Sequence, residues 1–148
     1  MDINLSQTEA DALIAMHKYC INDDRIDYPN FGGALRIPLV SEDKREDFML
    51  DITRGRIELS KSTFQNRARQ IFVIVRVDLG GSPHRNPDGT EILCPHIHVY
   101  KEGYGDKWAI PLPLDRFTNP NDQWQTLQEF MRFCNIVRPP SIEKGLFT

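Results

Sequence analysis

The run Ile71-Phe72-Val73-Ile74-Val75-Arg76-Val77-Asp78-Leu79 constrains the fold most, because β-branched residues dominate it and every odd position is apolar. It reads as a central strand. After the turn-rich segment from Gly80 to Gly89, residues Ile92 to Tyr100 resume an extended pattern. If Val73, Val75 and Val77 share a core face with Ile97 and Val99, antiparallel pairing must match odd residues with odd and even with even. The opposite face then carries Arg76 and Asp78 from the first strand, and Cys94, His96, His98 and Tyr100 from the second. One register sets Asp78 against His96 and Arg76 against His98; a two-residue shift sets Arg76 against His96 instead.

Around these strands the sequence predicts one α+β domain over residues 1–148, an antiparallel sheet of about five strands packed by an N-terminal and a C-terminal helix. Ser6-Gln7-Thr8-Glu9 has the form of a capping box, so a helix is expected over 6–21, with Leu13, Ile14, His17, Cys20 and Ile21 at helical spacing. The sheet is expected mainly within 35–112. It begins with a short strand at Leu35–Val40, followed by a two-residue hairpin at Arg54-Gly55 that sets Ile52 against Ile57 and Leu50 against Leu59. A further strand holds Trp108, Ile110 and Leu112. Asn119-Pro120 fits the start of a helix over 119–136, with Trp124, Leu127, Phe130, Met131 and Cys134 as its apolar stripe. For the tail at 139–148, docking through Leu146 and Phe147 and fraying both remain open.

A chain of 148 residues is long enough for one core, and 40% hydrophobic with 26% charged residues argues against wholesale disorder. No apolar run approaches the ~20 residues that cross a bilayer, and Met1-Asp2-Ile3-Asn4 does not begin a leader, so a cytoplasmic protein without membrane partners is expected. Cys20, Cys94 and Cys134 form no C-x-x-C pair and are expected as reduced thiols. The net charge of -3 hides a window from 54 to 85 carrying +5, from Arg54, Arg56, Lys61, Arg67, Arg69, Arg76 and Arg85 against Glu58 and Asp78. Such a window marks either an anion-binding face or charges alternating on a solvated sheet.

The chemistry expected of the His96/His98 face follows from its residue types. Two imidazoles transfer protons near neutral pH, a carboxylate orients one of them, and a guanidinium holds an oxyanion. The structural alternative is a wet sheet face whose cross-strand pairs each contribute about 0.2 to 1 kcal/mol. A metal alternative uses His96 and His98 with His84 or Cys94, for Zn or another divalent transition metal; otherwise no cofactor is expected. Ser60 and Ser62 lack a G-x-S-x-G elbow, and Gly80-Gly81 lacks both a GK[ST] ending and a dinucleotide fingerprint.

The segments Ser82-Pro83-His84-Arg85-Asn86-Pro87-Asp88-Gly89, Cys94-Pro95-His96-Ile97-His98-Val99-Tyr100 and Glu102-Gly103-Tyr104-Gly105-Asp106-Lys107-Trp108 resemble an uncharacterised family of small bacterial proteins linked to prophages or mobile elements. More loosely, residues 67 to 100 resemble toxins of the TumE type and their RelE-like ribonuclease relatives. That wider resemblance implies metal-independent RNA cleavage, in which Arg76, His84 and Arg67 bind phosphate while His96 and His98 shuttle protons. With the strand-face reading, the expected site comprises His96, His98, Asp78 and Tyr100 as catalytic groups and Arg76, His84, Arg67 and Arg69 as phosphate ligands. The competing expectation is a noncatalytic module, antitoxin-like or phage accessory, that binds a cognate protein through the same face.

Overall fold

The apolar run after Ile71 lies inside an eight-stranded sheet in the computed structural model, which describes residues 4–145. In chain order the elements are α1 (Gln7–Ala15), β1 (Lys18–Cys20), β2 (Arg25–Asp27), β3 (Ala34–Ser41), β4 (Asp47–Arg54), β5 (Ser62–Ala68), β6 (Phe72–Leu79), β7 (His84–Arg85), β8 (Glu91–Ile92), β9 (His96–Val99), β10 (Ala109–Pro111), α2 (Gln123–Phe133), β11 (Ile136–Arg138) and β12 (Ser141–Glu143). The main sheet runs β10-β9-β6-β5-β4-β3-β1-β11 and is antiparallel except where β1 meets β11. Two ribbons, β2 with β12 and β7 with β8, stand outside it. The α+β class is as expected, with more strands than the sequence suggests.

The hairpin at Arg54-Gly55 does not form. Ile52 pairs with Phe64 and Leu50 with Asn66, while Ile57 is 94% exposed in the loop between β4 and β5. β5 lacks the apolar alternation of a strand because its inward positions are Ser62, Phe64, Asn66 and Ala68, of which Phe64 alone is large and apolar. Pairing on both sides builds it instead. Opposite Asn66 and Arg67 the register slips, so that Ile74 is the extra residue of a bulge. Val75 and Val77 face the core as expected, whereas Val73 falls opposite Arg67 on the other side of the slip.

The capping box forms: Ser6 accepts from Glu9 N, and Glu9 reaches back to Ser6 N. The helix nevertheless stops at Ala15 rather than continuing to 21. Residues 18–20 are taken into the sheet between β3 and β11, leaving His17 and Ile21 exposed. Lys18 is fully buried there, and its ammonium donates to Ile14 O, Met16 O and Cys134 O at 3.0, 2.9 and 2.7 Å. The second helix begins at Gln123 with Asp122 as N-cap, later than Asn119, and residues 136–138 leave it for β11. Ser141–Glu143 docks on β2, while Leu146 and Phe147 lie outside the described residues.

Both helices cover one face of the sheet, α1 on β6 and α2 on β5 and β11. Leu13, Leu127 and Phe130 meet Leu50, Ile52, Phe64, Val77 and Ile97 there, and each large side chain fully removed from water contributes about 1.5 to 3 kcal/mol. The other face carries Asp51, Gln65, Arg76 and His98 on one cross-strand rung and Thr63, Asp78 and His96 on the next. No helix among the described residues is long and apolar enough to cross a membrane.

Candidate active site

Alternation in β6 and β9 directs Arg76, Asp78, His96 and His98 to the face opposite the helices. The register sets Asp78 against His96 and Arg76 against His98, the first of the two anticipated. Two loop segments then close over the imidazoles, leaving His96 2% and His98 0% exposed. One is the β7–β8 ribbon, fastened to the sheet edge by the Asn86 side chain, which donates to Ala109 O and accepts from Ala109 N at 3.0 and 2.8 Å. The ribbon brings His84 edge-on to His98, with ring centroids 4.5 Å apart, and His84 Nε2 donates to Lys107 O at 2.6 Å. The other is the turn from Lys101 to Lys107, whose Gly103 and Gly105 take the positive φ values of 83° and 63° that a side chain disfavours. That turn delivers Asp106: its carbonyl stands 2.7 Å from His98 Nδ1 and its carboxylate 2.7 Å from Arg76 Nη1.

These contacts define the partners of each ring nitrogen. A carbonyl only accepts, so His98 Nδ1 donates to Asp106 O, while its Nε2 lies 3.0 Å from Arg76 Nη2 and 3.1 Å from Asp78 Oδ2. His96 Nε2 stands 3.0 Å from Asp78 Oδ2 and donates to it, and its Nδ1 lies 3.3 Å from Leu93 O and 3.5 Å from the Cys94 thiol, which is itself 3.6 Å from Ser82 O. Arg76 Nε and Thr63 Oγ1 complete the donors to Asp78 at 3.2 and 3.1 Å.

Burial by itself raises the Asp78 carboxyl. Hydrogen bonds from His96 and His98 and the Arg76 charge outweigh it and hold the group well below the usual carboxylate range. The Cys94 thiol moves the other way, raised first by burial and then by the charges of Asp78 and Glu58. Cys94 thus rests as a thiol and needs a base to become a nucleophile. It lines a cavity of about 270 Å³ together with Leu79, Gly80, Pro95, Pro120 and Asn121.

The structure gathers Arg76, Asp78, His84, His96, His98 and Cys94, and places the other expected residues elsewhere. Tyr100 follows the end of β9 and is a core residue, accepting from Leu5 N at 2.8 Å and packing edge-on against Phe72. Arg67 forks onto Asp51 at 2.6 and 3.0 Å, and Arg69 onto Glu46 at 3.0 and 2.8 Å. Within the basic window Arg67, Arg69, Arg76 and Arg85 have acidic partners and Arg54 is buried, while Arg56 and Lys61 are exposed. Asp106, Thr63 and Asn86 were not anticipated; the glycine pair around Tyr104 signals the turn that delivers Asp106, while nothing local marks Thr63.

Of the metal alternatives, Asp78, His96 and His98 offer donor atoms within 4.8 Å of one another. His84 directs Nε2 to a carbonyl and Cys94 lies on the Nδ1 side of His96, so neither joins that group. Arg76 already satisfies His98 Nε2 and Asp78 Oδ2, and a cation among these atoms would abut its guanidinium.

No curated protein and no solved structure matches the chain. A family model does match it, over residues 5–136, a span that holds β1 to β10, both helices and every residue of the site. The chain belongs to that family of unknown function, DUF6978.

Proposed function

We propose that Cys94, His96 and Asp78 act as nucleophile, general base and orienting carboxylate in acyl transfer or hydrolysis of a small substrate. The observation that carries this reading is the alignment of Sγ 3.5 Å from His96 Nδ1 with Asp78 Oδ2 3.0 Å from Nε2 of the same ring. As Sγ attacks the carbonyl carbon, the thiol proton passes to Nδ1, and the resulting imidazolium is stabilised by Asp78. The Nδ1 proton then goes to the leaving group as its bond to carbon breaks. Water attacks the thioester, gives one proton to Nδ1 and its hydroxyl to the acyl group, and the thiol is restored by that proton. Arg76, held by Asp106, keeps Asp78 in place.

Burial of both imidazoles and the size of the cavity favour a small electrophile over a polynucleotide. A phosphodiester reading rests on the approach of Arg76 and His84 to the same rings, and it predicts EDTA-resistant cleavage of RNA that disappears when His96 is replaced. The acyl reading is tested with p-nitrophenyl acetate and intact-mass analysis. Acetylation is expected at Cys94, absent in Cys94→Ser and slowed about 10²- to 10⁴-fold in His96→Ala and His96→Asn variants of native circular dichroism. Equal labelling of Cys20 or Cys134, or an unchanged rate in a folded His96 variant, overturns the proposal. So does a stoichiometric Zn, Ni, Fe or Mn ion in untagged protein that Asp78→Asn removes, since it would place a metal where the relay requires a proton.

A further inference from the structure

A second cavity of about 570 Å³ opens at the same end of the sheet and shares Ser60, Asn121 and Gln123 with the one that Cys94 lines. Tyr28, Phe31, Arg54, Leu59, Asp122, Trp124 and Lys144 form the rest of its wall. Arg54 ends β4 on the core side and is only 5% exposed. Its guanidinium lies over the Tyr28 and Phe31 rings, 4.8 and 4.0 Å from their centroids. Nη1 donates to Pro29 O at 2.9 Å and Nε to Gln123 Oε1 at 3.3 Å, but among the described residues no carboxylate pairs with it. A guanidinium at this depth without a carboxylate beside it offers an anchor to an anion.

Two neighbours reinforce that sign. Lys144 adds a second positive charge. The first turn of α2 lines the cavity through Gln123 and Trp124 and presents the positive end of the helix dipole. Asp122, the one acid in the wall, carries the opposite sign, with its carboxylate directed to the helix end as the cap at Gln125 N. The Tyr28 hydroxyl is buried beside Ser62, and its ring rather than its hydroxyl faces the Arg54 guanidinium. Flat surfaces are also available: Phe31 is 45% exposed, and Trp124 stands edge-on to Tyr28 at 5.4 Å.

We propose that this cavity is the recognition pocket for the group on which Cys94 acts, and that it takes an oxyanion carried on an aromatic ring. The oxyanion meets Arg54 and Lys144, while the ring lies against Phe31 and Trp124. The assignment of this ligand as substrate rests on the Cys94 relay, but its binding does not. Binding is therefore measured on Cys94→Ser protein, by titrating tryptophan fluorescence with benzoate and phenyl phosphate. Benzamide, a ring without the charge, and inorganic phosphate, a charge without the ring, are the controls.

Benzoate or phenyl phosphate is expected to bind at least tenfold more tightly than both controls, and the two probes distinguish a carboxylate from a phosphate ligand. Phe31→Ala, at a half-exposed position, and Lys144→Gln each weaken that binding severalfold, and a folded Arg54→Gln variant weakens it tenfold or more. Benzamide binding as tightly as benzoate overturns the anion assignment, inorganic phosphate binding as tightly as phenyl phosphate overturns the ring, and unaltered affinity in Phe31→Ala overturns the location. Ring-anion binding in a protein whose Cys94 is never acylated leaves the pocket standing and sinks the nucleophile. Acylation without ring-anion preference does the reverse.

Discussion

Asp78 accepts from Thr63, Arg76 and His96, and His98 Nε2 stands 3.1 Å from the same carboxylate. Its ionised form is therefore much better stabilised in the native state than in the unfolded chain, where a carboxyl of this kind titrates near pH 4. The contribution is complete above that pH and is lost as pH falls below it towards the depressed native value. Asp78→Asn, which removes one of the two carboxylates on the part-buried Arg76 guanidinium, is expected to cost roughly 2 kcal/mol at pH 7. The deficit shrinks below pH 4; thermal melts showing the same deficit at pH 7 and pH 3 would contradict this. The pairing that gathers these donors was legible, because odd-numbered valines in β6 and Ile97 in β9 leave one face to Arg76, Asp78, His96 and His98. The proximity of His84 and Asp106 was not, since it depends on two loops whose paths are set by Asn86 on Ala109 and by the Gly103–Gly105 turn.

At the scale of elements, Lys18 shows how a tertiary contact ends a helix that local pattern would extend. Its ammonium meets two carbonyls at the end of α1 and one at the end of α2, and so ties both helices to β1. Burial pulls its pKa down to about 8, while the three acceptors keep it charged at neutral pH. Because the native value lies below the unfolded one, the cost of burying the charge is full below pH 8 and fades as pH rises to about 10.5. Lys18→Met orphans the carbonyls and is expected to cost about 2 to 3 kcal/mol at pH 7. Denaturant titrations between pH 8 and pH 10 should show wild type gaining on the variant; parallel profiles would exclude the titration. Periodicity identified α1, α2 and β6 because their apolar stripes are strong, whereas β1 hides behind a lysine and β5 behind Ser62 and Asn66. In both, position in the sheet overrides side-chain character.

Across the whole molecule, protection from exchange should follow the sheet. Amides of β4, β5 and β6, paired on both sides beneath the helices, are expected to open only with global unfolding. The β7–β8 ribbon, held to the sheet edge by Asn86, opens at lower cost and uncovers His84 and His98 when it does. Hydrogen exchange that finds this ribbon as protected as β6 would rule out such local opening. The parallel edge has a different consequence. β1 lies near the N-terminus, yet its outer neighbour is β11, beginning at Ile136, and the third acceptor for Lys18 is Cys134 O. During synthesis on the ribosome, β1 must therefore wait, with one backbone edge bare and a lysine unseated, until β11 has emerged. Stalled or prematurely terminated products present that edge to one another, so translational truncation should yield aggregates rather than a smaller folded core.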